Sequence, residues 1–539
     1  MLDIKRNFID WANSSSDRVS IIILIITNFI CNNIFLFNLK YYSDDWNNLV
    51  YVQPHNSFFK AVLDSERPIT QVFFLLGHKI AGNVLLFHLL AFITTTIVLV
   101  IVYYIFRRIF RDAGYETVLY PFIASMIFCT LFNKDEIYPW PILSFGFAYI
   151  AYTFTIYLYL NKEKKYYLCL SCIFYFLGLF TYEIGITIPA FLLLYDYLFG
   201  KNWKKSLFFA IPLTINLVIR FTHWFGYGWG SYNTGFGTYG LGTIIATVAA
   251  PVIASFVFLN NLINSFNGYT HMSIALVIFL IILNVVLLTI IYKYLTTLNE
   301  SNKFDIKLIY VALLMILVFS APYLMRFVLS AQTREYYFID IGIALLIVCV
   351  LMAFTKQVKT GIFVIVIIGL GLFVSQGLYF NWVVSGNLLG KIDTYIGENT
   401  DELFKYDYIY FNTRSFTENM PNGIKYENVP FYSTVLEMKN KLLGRPPLSK
   451  SDTQYDYGYN FYYNARALEP WALSAMLGKG REINSTLIYG NYPGTPPIDV
   501  TKDTITYKSG DSIFNVSRDK VFEINYSSVV SVNHLHSVM

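Results

Sequence analysis

Two adjacent carboxylates, Asp44 and Asp45, follow the first long apolar stretch, within the run Tyr-Tyr-Ser-Asp-Asp-Trp. Acids are costly to hold close to a hydrocarbon core, so an acidic pair at the edge of a membrane segment is a candidate functional site. A carboxylate there can act as a general base that takes a proton from a hydroxyl group. The structural alternative is that either aspartate caps a helix lying along the membrane surface.

Further acids, arginines and aromatic residues follow in segments between apolar stretches. The candidates for substrate binding are Glu66, Arg67, Asp135, Glu136, Tyr182, Glu183, Arg326 and Arg334. Arginine binds phosphate groups bidentately, and aromatic side chains pack well against the C–H faces of sugar rings. Such a set favours displacement at a sugar carbon with a phosphate leaving group. Solvated loop acids and arginines anchored at the membrane surface are the structural alternatives.

The composition indicates a membrane protein that crosses the bilayer many times. Of the 539 residues, 55% are hydrophobic and 14% are charged, whereas soluble domains carry roughly 25% charged residues. The net charge of +5 is not interpreted as nucleic-acid binding, because the basic residues lie mostly in short loops between apolar stretches.

The elements that must position these residues are apolar stretches long enough, or nearly long enough, to span a bilayer. They cover residues 19–39, 83–106, 117–131, 141–160, 166–180, 184–199, 206–222, 272–292, 306–329, 337–354 and 361–383. They predict an all-α membrane bundle of about eleven transmembrane helices.

Lysine and arginine concentrate in alternate loops, including residues 107–111, 162–165, 201–205 and 356–359. The positive-inside rule assigns these loops and the N-terminus to the cytoplasm. The alternation holds only if the apolar segment 243–263 does not cross, so this segment is predicted to be re-entrant or interfacial. The acids and arginines named above, together with the C-terminus, then lie on the outer face.

The chain changes character near residue 385, where long apolar runs stop and Asn, Asp, Thr and Pro become frequent. Residues 408–411 and 512–516 have the pattern of short strands between turn signals. We therefore predict a transmembrane catalytic domain over residues 1–384. An extracytoplasmic domain over 385–539 is predicted to be α/β or mainly β.

The acidic run at 41–46, the run Asp-Ser-Glu-Arg-Pro at 64–68 and the run Phe-Thr-Tyr-Glu at 180–183 together resemble the GT-C superfamily of polytopic glycosyltransferases. More narrowly, they are similar to the bacterial and phage-type glucosyltransferases that modify O-antigen during serotype conversion. The resemblance covers about residues 19–189, and the C-terminal part matches no motif.

The resemblance implies an inverting transfer of a sugar, in the narrower case glucose, from a polyprenyl-phosphate donor to a surface polysaccharide or a lipid-linked glycan. It implies the bacterial inner membrane, a periplasmic C-terminal domain, and dependence on a donor synthase and a flippase. Asp44 or Asp45 would be the general base, and Asp135 or Glu136 would take the place of a second acidic motif. Some members of the superfamily use a divalent metal and others do not, so Mg²⁺ or Mn²⁺ is left open here.

Two other classes of function remain as alternatives. A transporter or flippase of lipid-linked sugars would place ionisable residues near the membrane midplane, but the centres of the apolar stretches contain almost no Asp, Glu or Lys. A polysaccharide polymerase or ligase would need Arg and His in a large outer loop and no early acidic pair.

Overall fold

The computed structural model describes residues 16–39, 67–80, 83–131, 143–221, 261–262, 265–266, 268–298, 304–325, 337–354, 362–399, 402, 405–412, 486–489, 499–509 and 512–525. These residues fall into two compact units. One unit holds the described residues up to Phe37 and from Arg67 to Tyr379, and the other holds Asn38, Leu39 and those from Phe380 onward. Of the predicted re-entrant segment, all but 261–262 lies outside the described residues.

The first unit is helical because its sequence is a succession of apolar stretches. The α-helices are α1 (Ser16–Asn28), α2 (Pro68–Ile80), α3 (Val84–Asp112), α4 (Leu119–Thr130), α5 (Leu143–Leu160), α6 (Lys165–Thr181), α7 (Ile188–Leu198), α8 (Ala210–Phe221), α9 (Ile274–Thr297), α10 (Lys307–Met325), α11 (Ile339–Phe354) and α12 (Ile362–Glu398). The residues of α12 from Phe380 onward belong to the other unit. A π-helical turn, Phe29–Asn33, continues α1. Two 3-10 helices, Glu183–Gly185 and Trp203–Phe209, follow α6 and α7.

Four segments of the described residues are helical, long and apolar enough to cross a membrane. They are Ser16–Asn38, Val84–Asp112, Ile274–Thr297 and Ile362–Val384. The prediction of a mainly helical chain with membrane-spanning helices is confirmed to this extent. Six of the other seven predicted stretches hold shorter apolar helices, whereas about 20 helical residues span the hydrocarbon core. The number eleven therefore stays a prediction.

Helices α4 and α9 differ strongly in burial. All 12 residues of α4 are buried, as expected of a helix that is apolar on every side and lies inside a bundle. Helix α9 instead exposes large aliphatic side chains, among them Ile274, Ile278 and Ile282. Contact with lipid suits this surface, because so large an apolar patch would promote association in water.

Glycines on α12 allow its backbone to approach neighbouring segments closely. A Cβ atom on Gly371 would lie 2.3 Å from the carbonyl oxygen of Thr130, at the end of α4. A Cβ atom on Gly377 would lie 2.4 Å from the carbonyl oxygen of Ser265. Small residues at helix contacts are typical of membrane bundles, in which close van der Waals packing replaces the hydrophobic effect.

The described residues after α12 include six short strands: β1 (Tyr408–Asn412), β2 (Thr486–Tyr489), β3 (Asp499–Val500), β4 (Thr504–Ser509), β5 (Ser512–Ser517) and β6 (Val521–Asn525). One sheet has the order β2-β1-β6 with parallel pairing, and the other has the order β3-β4-β5 with antiparallel pairing. The strands predicted at 408–411 and 512–516 are confirmed. A folded outer domain over 385–539 stays a prediction.

Candidate functional site

The structure describes two of the predicted site residues with their side chains, one through its backbone, and the others not at all. Outside the described residues lie Asp44, Asp45, Glu66, Asp135, Glu136, Arg326 and Arg334. Their roles stay predictions. Glu183 is the first residue of a 3-10 helix and is described through its backbone alone. Arg67 and Tyr182 are described with their side chains, and these two side chains are in contact.

The contact joins two sequence motifs that lie far apart in the chain. The Cζ atom of Arg67 lies over the Tyr182 ring, 4.5 Å from the ring centroid. Both residues are half-buried. A guanidinium over an aromatic face is attracted by the negative face of the ring, by roughly 0.5–1 kcal/mol at exposed sites and more where water is excluded. The aromatic ring therefore helps to fix the position of the cation.

Helix α2 positions Arg67 immediately before its first turn. Pro68 is the first residue of the helix, where its fixed φ suits the helix and its missing N–H leaves no bond unmade. The N–H of Gln71 donates to the carbonyl oxygen of Arg67 at 2.9 Å. The Thr70 hydroxyl donates to the carbonyl oxygen of Thr181 at 2.6 Å and ties this turn to the end of α6.

Tyr152 of α5 holds the other side of the contact. Its hydroxyl donates a hydrogen bond to the carbonyl oxygen of Tyr182. Its ring is fully buried and lies where side chains on Gly178 or Gly185 would stand, because a Cβ at these positions would be 2.5 or 2.3 Å from Tyr152 Cε1. Glycine at both positions thus leaves space for the ring that supports the Tyr182 turn.

The turn that begins at Glu183 is fixed by hydrogen bonds from side chains on either side. The Tyr175 hydroxyl donates to the carbonyl oxygen of Ile186 at 3.2 Å. The Thr187 hydroxyl donates to the carbonyl oxygen of Val318, in α10, at 2.7 Å. Three helices, α5, α6 and α10, therefore hold this short turn next to the Arg67–Tyr182 contact.

The contact lies at the end of α6 that is opposite to its basic end. Helix α6 begins at Lys165, within the basic segment 162–165, and ends at Thr181. The positive-inside rule assigns the basic end to the cytoplasm. The contact between Arg67 and Tyr182 is accordingly predicted to face the outer side.

An aromatic cluster adjoins Tyr152 and was not predicted from the sequence. Tyr149 stacks on Tyr337 with ring centroids 4.4 Å apart, and the Phe338 centroid lies 6.0 Å from that of Tyr152. Asp340, in the first turn of α11, is fully buried. In the sequence, Asp340 was the residue that could have indicated a buried site here. It is a lone acid at the start of an apolar stretch, where an acid is costly but is stabilised by the helix dipole.

A buried network of amide side chains surrounds the π-helical turn and was also missed. The Asn32 side-chain N–H₂ group donates to Oδ1 of Asn28 and to the carbonyl oxygen of Cys129, each at 3.1 Å. The signal in the sequence was the pair of asparagines one helical turn apart inside an apolar stretch. π-Helical turns are frequent at functional sites.

Gln376 of α12 extends this network to a third helix. Its Nε2 donates to the carbonyl oxygen of Ile30 at 3.2 Å and to Oδ1 of Asn284 at 3.0 Å. Nδ2 of Asn284 donates back to Oε1 of Gln376 at 2.9 Å. Both amides therefore find partners inside an apolar bundle, where an unpaired amide would cost several kcal/mol or so.

Ion pairs join the basic ends of the helices. Nε of Arg108 lies 3.2 Å from Oδ1 of Asp112, and Arg108 also pairs with Glu163. Lys201 pairs with the same Asp112 carboxylate. Partial burial alone would raise the pKa of Glu163, but hydrogen bonds from its own backbone and from Arg108 outweigh burial and lower it. This network ties α3 to the turns that follow α5 and α7.

A second ion pair at this end is almost completely buried. Lys162 pairs with Asp196, and the Tyr159 hydroxyl donates to Oδ2 of the same carboxylate at 2.6 Å. Burial lowers the pKa of Lys162 to about 8. Buried pairs of this kind fix a geometry more than they add stability, because desolvation offsets much of their attraction. We assign both ion-pair networks a structural role.

The metal question stays open. Within the described part of the chain, no three His, Cys, Asp or Glu side chains come together as a group able to hold a metal ion. The acids predicted near the outer face lie outside the described residues, apart from the backbone of Glu183. Binding of Mg²⁺ or Mn²⁺ by these acids therefore remains a prediction.

The site combines a positioned cation, an aromatic ring and a rigid turn that carries an acid. Such a set suits a phosphorylated sugar, because the cation and the ring address its two chemically different parts. Comparison of the whole chain with protein-family models, with curated proteins and with solved structures finds no match.

Proposed function

We propose that this protein transfers a sugar from a polyprenyl-phosphate donor to a surface glycan at the outer face of a bacterial inner membrane. The observation that supports the proposal is the contact between Arg67 and Tyr182. It joins the Glu-Arg-Pro motif to the Thr-Tyr-Glu motif at the helix ends opposite to the basic loops. The resemblance to GT-C glycosyltransferases rests on these same motifs.

The proposed reaction is a single displacement at the anomeric carbon. Asp44 or Asp45 accepts the proton of an acceptor hydroxyl, and the hydroxyl oxygen forms a bond to the anomeric carbon. The bond between this carbon and the phosphate oxygen breaks, and polyprenyl phosphate leaves with the electron pair. Attack from the face opposite to the leaving group inverts the configuration at the sugar carbon.

Arg67 is proposed to hold the phosphate as it leaves. Its guanidinium has five N–H donors in a planar fork that matches two phosphate oxygens. Charge on the leaving phosphate grows as the glycosidic bond breaks, so a cation fixed at this place stabilises the transition state more than the bound donor. Tyr182 keeps the cation in position, and its ring borders the place where the sugar would bind.

The decisive test is replacement of each aspartate separately, Asp44→Asn and Asp45→Asn, followed by an assay of transfer from labelled polyprenyl-phosphate glucose in membranes. Loss of a general base lowers the rate by about 10²–10⁴-fold, so at least one variant should lose activity to this extent. The matched control is Asp305→Asn, because Asp305 is an acid next to the basic end of α10 and accepts the Lys307 N–H at 2.9 Å. Full activity of both aspartate variants would refute the proposal.

A transporter or flippase of lipid-linked sugars is a second candidate, and the buried amide network favours it. Transporters place polar groups and helix irregularities inside the membrane, and the side chains of Asn28, Asn32 and Gln376 form hydrogen bonds in or beside the π-helical turn that continues α1. Proteoliposomes with labelled lipid-linked sugar separate the two functions. Movement of the lipid without formation of a glycoside would favour the transporter, and glycoside formation would favour the transferase.

A further inference from the structure

The 3-10 helix Trp203–Phe209 presents an unusual surface between α7 and α8. One side of it is anchored to the bundle, where Ser206 and Phe209 are buried. The Phe209 ring lies against Tyr159 and Tyr175, with centroids 5.5 and 5.3 Å apart. The segment is therefore a fixed part of the first unit.

Several large apolar side chains in and directly beside this segment are nevertheless exposed. Trp203, Leu207 and Phe208 are 41%, 52% and 54% exposed, and the flanking Tyr197 and Ile211 are 75% and 59% exposed. These five side chains are called the exposed apolar face below. Large apolar side chains gathered in this way on a folded surface mark a contact with a lipid or a partner. Tryptophan and tyrosine in particular favour the boundary between headgroups and acyl chains.

The segment that carries the exposed apolar face contains several lysines and no acid. The sequence from Tyr197 to Phe221 contains no Asp or Glu but carries Lys201, Lys204 and Lys205. The Lys201 ammonium pairs with Asp112, and the Lys205 ammonium lies 3.5 Å from the carbonyl oxygen of Lys162. Lys204 is exposed beside Trp203.

A further cation approaches this segment from another helix. The Lys307 ammonium, at the start of α10, lies 5.7 Å from the centroid of the Phe199 ring, just before Lys201. The local charge is therefore positive over two helix ends. Among the described residues around the face, Asp112 pairs with Lys201 as well as Arg108, and Asp305 accepts the backbone N–H of Lys307.

We propose that the exposed apolar face and Lys204 form a binding site for an anionic phospholipid. Trp203, Leu207 and Phe208 would enter the boundary between headgroups and acyl chains, and Lys204 would bind the lipid phosphate. We choose a lipid rather than a protein as the occupant for two reasons. The face lies between two apolar helices, α7 and α8, and the basic residues beside it complement the charge of an anionic headgroup. An amphipathic segment with lysines on its polar edge is the usual form of such a membrane contact. The site requires no transferase activity.

The test uses the full-length protein in phosphatidylcholine vesicles that contain an equal fraction of brominated lipid, either phosphatidylglycerol or phosphatidylcholine. Bromine quenches nearby tryptophan, and the difference between the wild type and Trp203→Phe isolates the signal of Trp203. We expect stronger quenching of Trp203 by the brominated phosphatidylglycerol. Lys204→Gln should reduce this preference about fivefold, the factor expected for one lysine at an anionic membrane surface.

The matched control is Lys502→Gln, because Lys502 is an exposed lysine of the strand-containing unit and should leave the preference unchanged. Added salt should weaken the preference, since it screens exposed charges. Equal quenching of Trp203 by the two brominated lipids in the wild type would overturn the proposal. Retention of the full preference in Lys204→Gln would overturn the role of this lysine, and no quenching of Trp203 at all would overturn the membrane contact.

Discussion

Arg67 shows how the chemistry of one side chain depends on its neighbours. Its position is set by a proline that starts α2, by a threonine hydroxyl that reaches α6, and by the ring of Tyr182. An arginine stacked on a ring cannot be replaced by lysine without loss, because an ammonium lacks both the planar stacking surface and the bidentate donor geometry. The proposed phosphate contact therefore requires arginine at this position.

We predict graded losses for substitutions of Arg67. A hydrogen bond that involves a charged group contributes about 1.5–3 kcal/mol, so Arg67→Ala should lower kcat/KM for the polyprenyl-phosphate sugar about 10–100-fold. Arg67→Lys should lie between this variant and the wild type. Tyr182→Phe is the matched control, because it keeps the ring beneath the cation. Initial rates in membranes at varied donor concentration measure these effects, and wild-type kinetics for Arg67→Ala would contradict the assignment.

The sequence could predict some residues of this site and not others. Arg67 and Tyr182 were found through motifs, but their contact depends on how α2 packs against α6, which no local pattern specifies. Tyr152 carries no signal of its own, because it is one of 44 tyrosines in an aromatic-rich chain. Its role depends on two distant glycines, Gly178 and Gly185, which leave space for its ring.

At the scale of helices, apolar patterning predicted the elements better than their ends. Helix α3 continues through three arginines to Asp112, and α12 continues to Glu398, beyond the predicted end at residue 383. The predicted ends followed apolarity, which measures membrane contact, whereas helix formation also continues through polar residues of good helix propensity such as Arg, Lys and Glu. Apolar patterning also does not predict contacts between helices. The amide network joins α1, α9 and α12 through polar residues that lie inside apolar stretches.

We predict that the Gln376–Asn284 pair contributes to packing of α9 against α12. Gln376→Leu removes the two hydrogen bonds with Asn284 and the one to the Ile30 carbonyl oxygen, and it leaves the Asn284 amide in apolar surroundings, which should cost about 1–3 kcal/mol. The double variant Gln376→Leu with Asn284→Leu removes both partners, and its cost should be smaller than the sum of the two single costs. Thermal unfolding in detergent measures all four proteins, and strict additivity would show that the two amides act independently.

At the scale of the whole molecule, the chain combines a helical unit with a strand-containing unit. We propose that the helical unit binds the donor and that the C-terminal part binds the acceptor polysaccharide. The strands found at 408–411 and 512–516 were expected from their patterns. The parallel pairing of β1 with β2 and β6 was not, because strands so far apart in sequence carry no local signal for their partners.

We predict that removal of the C-terminal part affects the acceptor and not the donor. A chain that ends after Asn399 keeps α12 complete, since this helix ends at Glu398. Its KM for the acceptor glycan should rise, while its KM for the polyprenyl-phosphate sugar should stay unchanged. Arg67→Ala in the full-length chain is the reciprocal control, because it should lower kcat/KM for the donor and leave the KM for the acceptor unchanged. Unchanged use of the acceptor by the shortened chain would refute this division of roles.

The complete burial of α4 has a consequence for how the protein is made. A helix of 12 residues extends over only about 18 Å, less than the thickness of about 30 Å of a hydrocarbon core. By itself, this helix is therefore too short to remain stably inserted in the lipid bilayer after it leaves the insertion machinery. Helix α11, one of the helices that packs on it, begins only at Ile339, so α4 keeps an uncovered side until this later part of the chain is synthesised. Assembly of this bundle is thus limited by the order in which its helices are synthesised.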